Sequence, residues 1–481
     1  MKRSKSFLYL CINLIVLFSS PSYAQRYFGI ATSDYSSINS LYLNPANIAG
    51  SKEKLVVGLF SFNLGIDNNL GTFTSIGNIG NALNSSDSGG NSLFHNAGHS
   101  TFSMIVPSGE IRGPSLLLKI NSKQSIAITT RIRVINQLNN FDQELFNTIS
   151  KPSFVPNTNY SVAAQNFNWT AHLWSELGIT YGIVLLDNGS SQLKAGVTLR
   201  YLGGIGYLSL KGNNLDVGFT AGSDSFYASH SDLEYSSNII STRSAIFNGV
   251  SSSDLLGNFF GSKQGSGIGG DAGIVLGLLP SGGDIYSGEN TKTKNYKLKI
   301  SASVTDIGSI TYKQQYNSTV NVTGNGYITG SGLANNVKNA SDFKNYVVSQ
   351  GFNGDSSSQA AKIYLPTAML ISADYEIYRR FYINATYVNN LASTLNLGNS
   401  YYNQVTITPR YDCKVFTIGF PITYSMLAND MKMGFGLRLG GFFIGSDDML
   451  ALFSNNQYGF NFYFGGYIPL FKKAPKEDTN E

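Results

Sequence analysis

The sequence predicts an all-β fold, a transmembrane antiparallel β-barrel of about 14 to 16 strands with an N-terminal plug segment. Three observations carry that prediction. Apolar and polar side chains alternate along most of the chain, a short basic-then-apolar leader precedes the pattern, and charge is scarce. Charged residues make up 13% of the 481, well below the share usual in soluble domains. Aromatic residues also reach 13%, with 29 Tyr and 30 Phe. Low charge with abundant Tyr and Phe suits a lipid-facing band bounded by aromatic girdles.

The alternation is plainest at 431–439, where Met431, Met433, Phe435, Leu437 and Leu439 alternate with Lys432, Gly434, Gly436 and Arg438. Successive side chains of a strand point to opposite faces, so one face is wholly apolar and the other polar and basic. A β-sandwich or propeller also alternates, but its apolar face looks to a core and its charged face to water. Such folds do not need Phe or Tyr at nearly every apolar position, which disfavours a soluble reading.

Residues 1–24 read as a signal peptide. Lys2, Arg3 and Lys5 are basic, Phe7 to Phe18 is mostly apolar, and Ser22 and Ala24 are the small residues of a cleavage site after Ala24. The apolar run is short of the roughly 20 residues that a spanning helix needs. No later stretch is a candidate transmembrane helix, so crossing must use strands closed into a ring. Beyond the leader only Cys413 remains, and no intramolecular disulfide is expected. Without Lys2, Arg3 and Lys5 of the leader, the 34 basic residues fall to 31 against 29 acidic, a net of about +2 that gives no argument for a nucleic-acid partner.

Residues 25–52 are polar and irregular. A first strand follows with Val56, Phe60, Phe62 and Leu64 on one face, and Asn68 to His99 reads as a long Gly/Asn/Ser-rich loop. Leu116, Leu118 and Ile120 form a second strand, and Ile126, Ile128, Ile132 and Val134 a third, opposed by Arg131 and Arg133. Residues 137–170 read as another long loop. Leu177 to Leu185 and Leu193 to Tyr201 make a hairpin around Asp187-Asn188-Gly189. The signal weakens over 203–294, with strands expected near 215–235 and 267–279. It returns at Tyr296 to Val304, Met369 to Ile377, Phe381 to Tyr387, Val405 to Tyr411, Phe416 to Ile422, 431–439, and Tyr458 to Leu470. The barrel is thus placed at 53–471, with a charged tail at 472–481. Imposing alternate long loops and short turns from both ends produces a clash of direction between 203 and 457.

The polar faces of these strands carry Lys119, Arg131, Arg133, Lys194, Arg200, Lys297, Lys299, Arg380, Arg410, Lys432 and Arg438, opposed by Asp374, Glu376 and Asp412. A lumen lined by this face is electropositive and favours anionic or carboxylate-bearing guests. The alternative is that acidic groups of an inserted plug neutralise it. Three apolar clusters lie in loops: Phe141, Leu145 and Ile149; Phe343, Tyr346 and Val347; and Leu255, Leu256, Phe259 and Phe260. They either catch a lipophilic ligand or partner, or pack over the barrel mouth. His95 and His99 lack the Glu of a metal-binding helix motif, and Gly265 to Gly270 lacks the Lys of a phosphate loop. No metal, cofactor or enzymatic nucleophile–base pair is expected.

Several short motifs carry a resemblance. Leu43-Asn44-Pro45-Ala46-Asn47-Ile48-Ala49 resembles the N-P-A motif near the mature N-terminus of FadL-type barrels and of the PorV-like barrels of type IX secretion. Gly269 to Gly273 resembles their Asp-x-Gly strand start, and Ser303 to Gly308 and Leu365-Pro366-Thr367 their later strands. The ending, Phe443 to Asp448 and then Tyr463 to Pro469, is similar to an uncharacterised family of Bacteroidota outer-membrane barrels. The resemblance implies that residues 25–52 fold into the barrel as a hatch to which Asn44, Pro45 and Ala46 belong. An equal reading is that the motif only seals and stabilises the barrel. Pro45 fixes its own φ and biases Asn44 towards extended geometry, which suits a rigid turn. The resemblance also implies an outer-membrane location and passive uptake of small hydrophobic or amphipathic molecules. The alternative is a structural barrel that docks a secreted or envelope protein.

Overall fold

The computed structural model describes residues 27–73, 94–96, 101–150, 155–238, 264–279, 296–337, 340–393, 397–450, 453 and 457–470. Within these residues the chain forms a closed antiparallel barrel of 14 strands. They are β1 (Leu55–Asn68), β2 (Thr101–Arg112, then Ser115–Lys119), β3 (Gln124–Asp142), β4 (Tyr160–Asp187) and β5 (Ser191–Phe219). Next come β6 (Ser225–Ser237, then Gly265–Leu278), β7 (Leu298–Tyr312, then Ser318–Thr329) and β8 (Asn353–Ser357, Ala361–Tyr364, Ala368–Tyr378). The ring continues with β9 (Phe381–Asn390), β10 (Gln404–Asp412), β11 (Phe416–Gly419, Ile422–Ser425) and β12 (Asp430–Met433, Phe435–Leu439). It ends with β13 (Phe442–Ser446) and β14 (Gly459–Leu470). Each strand pairs with its sequence neighbours, and β1 pairs with β14 from Leu55↔Leu470 to Asp67↔Gly459. Closure leaves no edge, the condition for strands to cross lipid.

The outer surface carries the apolar half of the alternation. Leu199 is 66% exposed and Ile268 76%, while Thr198 and Arg200 beside Leu199 are buried. Tight turns after β2, β4, β8, β10 and β12 gather at the end where β1 starts and β14 finishes. At the other end β4 and β5, of 28 and 29 residues, run far past the 9–11 needed to cross the hydrocarbon core. With the upper parts of β6, β7 and β8 they build a projecting sheet. Its outward positions turn polar, as at Asp232, Asn321, Thr323, Asn353 and Asp355. Its inner face buries Leu215, Val217, Phe226, Val320 and Val322 in a second core, separate from the one inside the barrel.

This projection accounts for two differences from the sequence expectations. The stretch 137–170 is not simply a loop: β3 runs to Asp142, a helix spans Gln143–Ser150, and β4 starts at Tyr160. Above the membrane the outer face meets water, so the apolar-outward signal disappears although strand pairing continues. The expected strand at 215–235 divides between β5 and the upper part of β6, which continues in line at Gly265. Counting it separately, and overlooking the short β13, leaves the total unchanged but reverses the strand directions between them. Phe141 and Leu145 join the second core, as do Tyr346 and Val347, with Phe343 packed against it. The cluster Leu255, Leu256, Phe259 and Phe260 lies outside the described residues.

Candidate functional site

The barrel interior is occupied. A short helix Phe28–Ala31 and 3-10 turns Ser37–Tyr42 and Pro45–Ile48 are almost wholly buried. The helix touches β10 to β13, the first 3-10 turn β1 and β2, and the second β4, β5 and β6. A segment that reaches strands on every side of a closed ring lies inside it. Phe28, Ile30, Leu41 and Ile48 are each at most 1% exposed, and burying side chains of this size stabilises by about 1.5–3 kcal/mol each.

Polar anchors fix the segment's course. The backbone N–H groups of Tyr27 and Gly29 donate to Asp447 at 3.0 and 3.3 Å. Ser33 donates to Asp412 at 2.7 Å, and Asp34 pairs with Lys299 at 2.9 Å and Lys52 at 3.3 Å. Burial alone would raise the Asp34 carboxyl, but the Lys299 and Lys52 ammonium groups outweigh it and hold the acid well below the usual carboxylate range.

Asn44 is extended (φ −157°, ψ 117°), and Pro45 occupies the first position of the 3-10 turn. The Asn44 Oδ1 accepts from the Ala46 N–H at 2.9 Å, an N-cap. Its Nδ2 donates to the carbonyls of Ile274 on β6 and Ala302 on β7, at 3.0 and 3.1 Å. The wall makes room with glycine: a Cβ on Gly196 would overlap Pro45, and one on Gly273 would overlap Asn44.

Above this segment lies an ionic cluster. Arg131 binds Glu176 (2.7 Å), Glu110 (3.2 Å) and Asp306 (3.0 Å). Arg133 binds Asp306 (2.9 Å) and Glu176 (3.3 Å). Arg200 pairs with Asp271 and also reaches Asp306 at 3.2 Å. Arg112 pairs with Glu110 at 2.5 Å, sandwiched between the rings of Tyr27 and Tyr42. The four arginines face four carboxylates, so the cluster is neutral. Residues 397–403 descend from between β9 and β10 onto it, and the Tyr401 hydroxyl donates to Asp306 at 2.6 Å.

The remaining basic residues also have partners. Arg410 grips Asp374 through both guanidinium nitrogens at 2.7 Å. Lys432 pairs with Asp67 at 2.7 Å. Arg438 donates to Thr417 at 3.0 and 2.8 Å and to the Gly440 carbonyl at 2.8 Å. Lys119 donates to the Ser51 carbonyl, and Lys194 is half-buried within electrostatic reach of Asp34. Two of the basic set face elsewhere. Lys297 stands at the lower rim with its ammonium over the outward Tyr375 ring, a snorkelling position. Arg380 is exposed in the turn after β8 at φ 69°.

An electropositive lumen is therefore not what these residues form. Glu110, Glu176, Asp271 and Asp67 face the interior as well. Glu176 and Asp271 share the inward parity of their strands, and parity alone could have found them. Asp306 could not be found that way. It sits at φ 57°, where a register shift against β6 turns an outward position inward. Among the described residues no group of His, Cys, Asp and Glu could hold a metal ion. No described helix is long and apolar enough to cross a membrane, which says nothing against the strands.

A closed antiparallel ring with an apolar exterior and a polar, filled interior defines a transmembrane β-barrel of the outer-membrane type. The chain belongs to a family of unknown function, DUF5723, whose model matches residues 45–447. No curated protein matches it significantly. Similar solved structures include a FadL homologue of Pseudomonas aeruginosa, at 10% identity and TM-score 0.42 over 93% of this chain and 98% of that one. The Ralstonia pickettii toluene transporter TbuX matches at 9% identity and TM-score 0.37 over 90% and 94%. The P. putida toluene transporter TodX matches at 9% and 0.41 over 90% and 94%.

Proposed function

We propose that this chain is an outer-membrane channel for small hydrophobic or amphipathic molecules, exported through a signal peptide at 1–24 and closed at rest by residues 25–52 acting as a hatch. The observation that carries this reading is a pair of bulges in the barrel wall beside the buried segment, where pairing is locally irregular. The β1–β14 ladder slips between Gly58 and Phe60, and β2 is interrupted at Gly113-Pro114, on the other side of β1 at the same height. A cavity of about 10 Å³ lies there, with Ile38, Leu59, Phe60 and Phe443 among its lining. Leu59 and Phe60 belong to the lipid-facing surface. On this reading a guest stopped by the hatch leaves by the widening of this bulge, since the space at rest is no larger than about one water. The inward basic residues hold the hatch and its neighbours rather than attract anions. Deleting 25–52 tests the reading in planar bilayers: single-channel conductance is expected to rise, and unchanged conductance would sink it.

A second reading, a docking barrel of the PorV-like kind, is favoured by the projecting sheet. That sheet and its helices, Gly330–Asn336 and Ala340–Ser349, have their own apolar core, more than closing a mouth requires. Mass spectrometry of the protein purified gently from native membranes separates the two. A stoichiometric protein partner without a lipophilic ligand favours docking.

A further inference from the structure

The residues descending between β9 and β10 do more than cover the lumen. We propose that residues 397–403 form a second closure and that Asp306 couples it to the N-terminal segment, so that releasing either one loosens the other. The inference rests on the hatch reading for its use in transport, but not for the coupling itself.

The stretch crosses the barrel. It leaves β9 and returns to β10, yet the Tyr402 hydroxyl donates to Asn139 of β3 at 3.1 Å and Asn399 donates to the Thr170 carbonyl of β4 at 2.9 Å. Ser400 accepts from and donates to Gln137. Strands β3 and β10 stand on opposite sides of a 14-strand ring. A surface loop has no reason to span it.

At its tip Tyr401 is 6% exposed and donates to Asp306 while accepting from Arg133. Asp306 also takes Arg131, and the Arg131 guanidinium lies 5.0 Å from the ring centroid of Tyr42 in the N-terminal segment. Tyr42 in turn covers Arg112, to which Asn39 offers its side-chain oxygen at 3.0 Å. One carboxylate thus has an upper partner in the loop and, through one arginine, a lower contact in the segment.

In a dry interior the members of a polar network polarise one another, so losing one donor of Asp306 is felt by the three arginines that remain on it. Withdrawal of Tyr401 leaves Asp306 to Arg131, Arg133 and Arg200, and their readjustment around it loosens the packing of Arg131 on Tyr42. Loss of Tyr42 removes the ring packed on Arg131, which then shifts among Glu110, Glu176 and Asp306 and carries Asp306 with it relative to Tyr401. Coupling is reciprocal by thermodynamic necessity.

The test reads the closures directly. In a Cys413→Ser background, Asn47→Cys reports on the N-terminal segment and Ser400→Cys on the crossing stretch, through rates of thiol labelling. Tyr401→Phe keeps the ring and removes the hydroxyl. It is expected to raise labelling of Asn47→Cys by about fivefold or more. Tyr42→Leu is expected to do the same at Ser400→Cys. Heat-modifiable mobility on gels shows that each barrel is intact. If either variant loosens only its own closure, the coupling is overturned. Reciprocal labelling with no change in conductance on deleting 25–52 upholds the coupling and overturns the channel reading.

Discussion

Gly196 of β5 lies directly beneath Pro45, so close that any side chain on Gly196 would run into the Pro45 backbone. The atoms that would collide are backbone, which has no rotamer with which to yield. Gly196→Val is expected to push out the Pro45–Ile48 turn at a cost of about 1–3 kcal/mol while the barrel itself stays closed. Faster hydrogen exchange at residues 45–48, with unchanged gel mobility of the folded protein, is the result to look for.

Asn44 combines an acceptor for its own turn with two donations to the wall. Asn44→Asp keeps the acceptor and loses both donors. Asn44→Ala loses everything, including a cap of about 0.5–2 kcal/mol. Exchange protection of the turn should fall from Asn to Ala to Asp, because the Asp carboxylate sets a buried anionic oxygen against the Ile274 and Ala302 carbonyls. Equal protection in Asp and wild type would show that the donations contribute nothing.

Arg410 and Asp374 form a bidentate pair with no solvent contact. Arg410→Met leaves the buried Asp374 with only the Tyr296 hydroxyl and Lys299 at 3.6 Å, and a loss of up to about 3–5 kcal/mol is expected in denaturant unfolding. Changing Asp374→Leu as well should restore part of it, because much of the penalty belongs to the under-compensated charge, while Tyr296 and Lys299 lose a partner.

The outer surface changes solvent along the strands. Leu199→Arg, in the apolar belt, is expected to destabilise the barrel by about 2–4 kcal/mol in lipid vesicles. Thr323→Arg, on the projecting sheet, should stay within about 0.5 kcal/mol. Similar losses at both positions would contradict the placement of the belt.

Asp34 is held below the usual carboxylate range by Lys299 and Lys52. A lowered acid value in the folded state means that the ion pairs contribute fully above the ordinary carboxylate value, about 4. Their contribution fades as the pH falls below that, towards the lower folded value. A spin label at Asn47→Cys should keep constant mobility from neutral pH to about 5 and loosen only in stronger acid. Asp34→Asn should loosen it at every pH.

Local periodicity carried much of this architecture. The hairpin from Leu177 to Tyr201 and the strand Met431 to Leu439 are legible because one face meets lipid and the other does not, and a two-residue repeat records that difference. The pattern fails where the surroundings change. From Leu202 to Tyr207 every residue is buried, the alternation of exposure lapses, and β5 continues without its lipid signature. It fails again at Asp306, where one left-handed residue reverses the face.

The amino-acid sequence by itself determined the class of fold, most of the lipid-facing positions (Val56 and Tyr296, read with the outer face, are buried) and the extended Asn44-Pro45 corner, because each depends on neighbours a few residues away. Tertiary structure alone decided that Arg131, Arg133 and Arg200 meet Glu110, Glu176, Asp271 and Asp306, and that Tyr401 crosses the barrel to join them. It also decided that Gly196 stands under Pro45. These contacts join strands far apart in the chain, and their charges balance only when the ring closes and removes water from between them.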